Sequence, residues 1–264
     1  MRAAFIIAAN TMRDALRQRL VFLMAACALI LTLFSTYIMK MDLGHDAMRF
    51  VANFTSGALG FFGSIIAITS VCQLFYSEIE GRTVTTLLSK PVGLGGFVFG
   101  KLLGEAYMLA AFTAVIMSVG AFSLYGAHAK IAALPEEALS GAIPAVSWTG
   151  FAVFGALQFA KLMAVAAMAC FVCALSRSMM FAIVVSFLMC AASLLSYSDF
   201  MTGGGWALAA ASWLLPNLSV FEPSLEFIFS GADAAAALAA LGYAAAYVGV
   251  FGLLAVWMFS NREL

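Results

Sequence analysis

Gly95-Gly96-Phe97-Val98-Phe99-Gly100-Lys101 fits G-x-x-x-x-G-K, the opening of a loop whose backbone N–H groups cradle phosphates. The next residue is Leu102, where such a loop needs a Ser or Thr for magnesium, and no strand-like run precedes it. Leu102 also opens a long apolar stretch, so a nucleotide site is not expected here. Cys170 and Cys173 form a C-x-x-C pair, but redox chemistry needs a polar setting that favours the thiolate, and these lie among Ala, Met, Phe and Val. Cys27, Cys72 and Cys190 also sit in apolar runs, so none of the five is placed to staple an outer loop, and the C-x-x-C pair is expected to pack between helices. His45 and His128 fall between the apolar runs, and no run offers His, Asp or Glu at metal-ligand spacing. Asn53-Phe54-Thr55 and Asn217-Leu218-Ser219 match a glycosylation pattern that acts only in a eukaryotic secretory route. Two ionisable residues remain well inside apolar runs, Glu105 and Lys161, and such residues are functional candidates by default.

The elements that must position them follow from composition. Of 264 residues, 64% are hydrophobic and 10% charged, against roughly a quarter charged in a soluble domain. That is too little polar surface to cover a core in water, so lipid must be the solvent for most of this chain. A spanning helix needs about 20 apolar residues. Six stretches qualify within a single membrane domain covering 1–264: 20–39, 54–75, 102–125, 151–175, 179–195 and 232–259. Trp206–Leu215 is apolar but ends at Pro216 and is too short to span, so a re-entrant or interfacial piece is expected before the last span. The fold class is therefore all-α and integral to the membrane.

Charge sets the orientation. With the N-terminus inside, the segments on that side hold Arg2, Arg13, Arg17, Arg19, Arg82, Lys90, Lys101, Arg177 and Arg262, against Lys40, Arg49 and Lys130 on the other. Nine against three places both termini in the cytoplasm by the positive-inside rule. The polar stretch of nineteen residues before the first apolar run is not the pattern of a cleaved signal peptide. Within it Phe5, Ala9, Met12, Leu16 and Leu20 recur at helical spacing, with Asn10, Arg13, Asp14 and Arg17 opposite. That pattern predicts an amphipathic helix at residues 1–19, lying in the interface. Glu105 is expected near the cytoplasmic end of its span, where it could snorkel or pair with Lys101. Lys161 is expected roughly 15 Å deep, at about 1.5 Å per residue, as a candidate for a translocation path or a subunit interface, with a snorkelling lysine as the alternative.

Residues 76–101 form the most informative polar segment. Glu78, Glu80 and Arg82 stand at a membrane exit, Thr83–Ser89 can make about two helical turns with Leu87 and Leu88 exposed, and Pro91 stops them. Glycines 93, 95 and 96 are then expected to turn the chain back to the membrane. A short helix on two polar arms suits docking, while an ordinary loop fits the same residues.

Glu-Ile-Glu-Gly-Arg-Thr (78–83), Leu-Leu-Ser-Lys-Pro-Val (87–92) and Gly-Lys (100–101) resemble the permease subunits of type-2 ABC transporters, including those associated with copper-enzyme maturation and multidrug export. The resemblance implies that Glu78, Glu80, Arg82, Leu87, Leu88, Lys90 and Pro91 form a cytoplasmic coupling helix seated in an ATP-binding subunit. It implies that Arg13 and Arg17 face the Glu78/Glu80 arm and that Arg177 makes a second, smaller contact with the ATPase. It also implies a dimer with a second or homologous permease copy, an exporting role, and a place in a bacterial inner membrane, with accessory periplasmic or membrane subunits as further partners. No cofactor would sit in this chain: ATP and magnesium would bind the partner, and nucleic acid has no part. Gly93-Leu94-Gly95-Gly96 stands where many relatives carry charge, a departure from the family pattern.

Two other functions fit a multi-span chain. An ion-driven transporter needs internal repeats and ionisable residues around broken helices, and only Lys161 meets any part of this. A membrane scaffold hardly requires six spans. No set of side chains in the spans names a cargo.

Overall fold

Each of the five prolines lies between the long helices, at 91, 135, 144, 216 and 223, so no long helix has an interrupted hydrogen-bond ladder. The computed structural model describes residues 11, 13–14, 18–38, 47–80, 94–132, 146–195 and 215–260. Its elements are α1 (Arg19–Ile38), α2 (Ala47–Glu80), α3 (Leu94–Ala132), α4 (Trp148–Leu175), α5 (Met179–Leu195), a 3-10 helix (Leu218–Leu225), the one-turn α6 (Phe227–Ser230) and α7 (Ala234–Ser260). There is no strand among the described residues. Helices α2, α3, α4 and α7 are long and apolar enough to cross a membrane, while α1 and α5 are apolar but shorter. The chain is a membrane-embedded, multi-pass helical protein.

Two helices outrun the expected spans. α2 has 34 residues and α3 has 39, about 51 and 58 Å at 1.5 Å per residue, against a hydrocarbon core of about 30 Å. Hydropathy reads only the lipid-facing stretch, whereas a helix continues until a breaker ends it. α3 begins at Leu94, so Gly95 and Gly96 are helical and do not turn the chain. The phosphate-loop look-alike at 95–101 is likewise the opening turns of α3. Most of the proposed interfacial helix at 1–19, all of 81–93 and the segment 196–214 with Trp206 lie outside the described residues.

α4 is the central helix, packed by α2, α3, α5, α6, α7 and the 3-10 helix. Within its most apolar stretch 78% is buried, against 28% for α7, which is therefore peripheral. Small residues let neighbours approach: a Cβ on Gly63 would meet the Leu162 side chain at 2.8 Å, and one on Gly155 would meet Met117 at 2.8 Å. Serines set the ends of α4. Ser147 Oγ accepts from the Gly150 N–H at 3.1 Å. At the other end the Ser178 N–H donates to Ser176 Oγ at 3.2 Å, and that hydroxyl donates to the Ser178 carbonyl at 2.9 Å, closing the turn to α5.

The chain after residue 215 packs back on the bundle. Asn217 caps the 3-10 helix by accepting from the Ser219 N–H at 3.0 Å and its hydroxyl at 2.6 Å, which gives the Asn-Leu-Ser pattern a structural use. Leu218, Phe221 and Ile228 are buried. Gly231, at φ 88°, ends α6 in a conformation suited to glycine. Asp233 then caps α7 by accepting from the Ala235 N–H at 3.0 Å.

Candidate functional site

The end of the bundle where α2 finishes and α3 starts is held by aromatic and hydroxyl contacts. Phe75 stacks on Phe259 of α7 at 5.5 Å between centroids and meets Phe97 of α3 edge-on at 6.1 Å. Lys101, 2% exposed, has its ammonium 4.7 Å from the Phe75 ring and 5.0 Å from the Phe97 ring, and donates to the Leu74 carbonyl. The Tyr76 hydroxyl donates to the Ser176 carbonyl at 3.0 Å. That bond ties the root of the 81–93 segment to the turn carrying Arg177, whose side chain is exposed.

Of the residues singled out from sequence, Arg177 therefore sits beside the root of the 76–101 segment. Glu78 and Glu80 close α2, but their side chains, and Arg82, Leu87, Leu88, Lys90 and Pro91, lie outside the described residues. Arg13 is helical and exposed, and Arg17 lies outside the described residues. The expected Arg13/Arg17 contact with the Glu78/Glu80 arm falls there too.

Glu105 departs from its expected setting. It is 1% exposed and does not snorkel. Because α3 begins at Leu94, Glu105 lies about 17 Å along it at 1.5 Å per residue, facing α2. Ser70 Oγ of α2 donates to Oε2 at 2.8 Å, and Oε1 has no hydrogen-bond partner among the described residues. Lys101 turns to Leu74, Phe75 and Phe97, and forms no ion pair with Glu105.

Cys170 and Cys173 pack between helices as expected, in an arrangement that spacing alone does not reveal. Cys72, Cys170 and Cys173 are fully buried, and all five are free thiols. Cys173 Sγ meets Cys72 Sγ of α2 at 3.3 Å, a contact made outside the C-x-x-C pair. In a chain cleaved between residues 132 and 146, diamide should join the two fragments on a non-reducing gel. Cys72→Ser and Cys173→Ser should abolish the product and Cys170→Ser should not; a product that survives Cys72→Ser would mean that α2 and α4 do not meet as described.

Lys161 lies mid-way along α4, thirteen residues from Trp148, about 20 Å at 1.5 Å per residue. It is 9% exposed, and Gln158, one turn earlier, is 3% exposed. No hydrogen bond or ion pair is made by Lys161 among the described residues. The groups that act on it electrostatically are Glu222, an exposed carboxylate of the 3-10 helix, and Cys190 of α5.

Two features escaped sequence reasoning. One is an aromatic ladder: Phe221 to Tyr243 (6.5 Å), Tyr243 to Tyr247 (4.8 Å), Tyr247 to Phe251 (6.0 Å) and Phe251 to Phe171 (5.7 Å). Its signal was the four-residue spacing of Tyr243, Tyr247 and Phe251. The other is a cavity of about 410 Å³ under the 3-10 helix, walled by Leu157, Val220, Pro223, Phe227, Ala240 and Tyr243. Two contacts hold its roof: the Asn217 N–H donates to Tyr243 Oη at 2.6 Å, and the Arg49 guanidinium lies 5.8 Å from the Phe229 ring.

Neither a family model nor a curated protein matches the chain.

Proposed function

We propose that this chain is the permease subunit of an ATP-driven transporter, an exporter that encloses its path with a second or homologous copy and is powered by a separate ATP-binding subunit. What supports the reading is the Tyr76–Ser176 hydrogen bond, which puts the root of the 81–93 segment and the exposed Arg177 on one end of the bundle. A single cytoplasmic partner could touch both. The overrun of α2 and α3 past a bilayer's thickness favours the same assignment, since the helices continue beyond what lipid requires. In this reading α1 and α5 complete six spans, both termini are cytoplasmic, and the membrane is a bacterial inner membrane. Residues 83–89 are the coupling helix, 206–215 a re-entrant piece, and ATP and magnesium stay on the partner.

The ATPase subunit should co-purify with the wild-type chain and be stimulated by it. Leu87→Asp with Leu88→Asp should reduce capture by at least about tenfold, about 1.4 kcal/mol, and Arg177→Glu should weaken it less. Undiminished capture and stimulation by the double variant would remove the docking role.

A further inference from the structure

Lys161 is a long basic side chain nine-tenths buried in the middle of the central helix, with no hydrogen bond or ion pair among the described residues. A cation removed from water is stable only when something else solvates it. Among the described residues the one carboxylate that acts on it is Glu222, which is itself exposed and so hydrated. Intramembrane charges of this kind face an interior path or a partner group. What surrounds Lys161 also has a direction. Leu157, one helical turn away on the same face, opens into the 410 Å³ apolar cavity, and the 3-10 helix that bears Glu222 supplies Val220 and Pro223 to that cavity. Lys161 does not itself line that cavity; it lies one helical turn along α4 from Leu157, which does, and both sit under the segment that bears Glu222.

We propose that Lys161 and the cavity beneath the 3-10 helix form a binding site for an acidic amphiphile, a lipid whose phosphate pairs with Lys161 and whose apolar body fills the cavity. This rests on the transporter reading, because a phosphate at this depth is not where a bilayer leaves a head group and is met there only in passage. Charge complementarity selects an acidic head over a zwitterionic one, which would bring its own cation to Lys161. Glu222 competes with the phosphate for Lys161, so it sets the affinity rather than making the site.

The test uses the full chain in mixed micelles holding phosphatidylglycerol and phosphatidylcholine at equal mole fraction, with bound lipid counted by native mass spectrometry. The wild type should retain phosphatidylglycerol over phosphatidylcholine by about tenfold, a single charge-assisted contact. Lys161→Met should abolish that preference and Lys161→Arg should keep it. Glu222→Gln, at an exposed position of the 3-10 helix, should raise it, and supplies the answer should Lys161→Met fail to fold. Inorganic phosphate alone should not compete. No preference in the wild type, an unchanged preference in Lys161→Met, an unaltered one in Glu222→Gln, or full competition by inorganic phosphate would each overturn the proposal. Capture of the ATPase subunit by the same Lys161→Met protein reports on the transporter reading separately, and should be unaffected.

Discussion

Gly150→Ala is expected to lower the melting temperature of the purified protein by roughly 6–12 °C, the equivalent of about 3 kcal/mol in a chain of this size. A Cβ at this position would lie 1.8 Å from the Phe227 carbonyl oxygen and 2.6 Å from its carbon. Both atoms are backbone, so no rotamer change relieves the overlap; α4 and α6 must separate. Separation breaks the Ser147 N–H bond to the Ile228 carbonyl, 2.8 Å long, which joins the start of α4 to the short helix. It also lifts the roof of the apolar cavity. The comparison is internal, because Gly57→Ala and Gly242→Ala add the same carbon where nothing lies within 4 Å. Those two should be neutral or stabilising by up to about 1 kcal/mol, since alanine is the better helix former. Equal melting of all three variants would refute the packing of α6 on α4.

The contrast between Gly150 and Gly57 shows what the sequence could and could not disclose. Lipid demands long apolar runs, so α1 to α5 and α7 could be read from composition, though α6 and the 3-10 helix could not, and α5 has the very bounds its hydropathy predicts, Met179–Leu195. The turn at Ser176–Ser178 was legible too, because only three residues separate two apolar runs. The ends of α2 and α3 were not, because Arg49, Ser77 and Gly95 are poor in hydropathy yet do not break a helix. Which glycine touches a carbonyl is a matter of contacts 77 residues away in sequence, and nothing near Gly150 records Phe227. The placement of Lys161 was half legible: its depth follows from counting residues, its lack of a partner only from the packing of α5 and the 3-10 helix around it. Tyr243, Tyr247 and Phe251 share a face, but α7 is apolar on every side, so no stripe stood out.

The Ser70–Glu105 pair should show the strongest non-additivity in the protein. Ser70→Ala removes the only hydrogen bond that the buried Glu105 carboxyl makes among the described residues, and its other oxygen already has none. An orphaned buried polar group costs about 1–3 kcal/mol, so the single variant should melt well below the wild type. Adding Glu105→Leu replaces the carboxyl with an apolar group of similar bulk between α2 and α3, leaving no polar atom to satisfy. The double variant should therefore recover most of the loss, because removing both partners is far cheaper than removing one. Melting temperatures of the four proteins decide the matter: losses that simply add would mean the two side chains do not act on each other. If the proposed transporter reading holds, ATPase stimulation by the recovered double variant then separates two roles for Glu105. If stimulation persists, the carboxyl serves only to join α2 to α3. If it is lost from a chain that is folded and captures its partner, the carboxyl itself takes part in transport, one helical turn deeper than the Lys101–Phe75–Phe97 cluster.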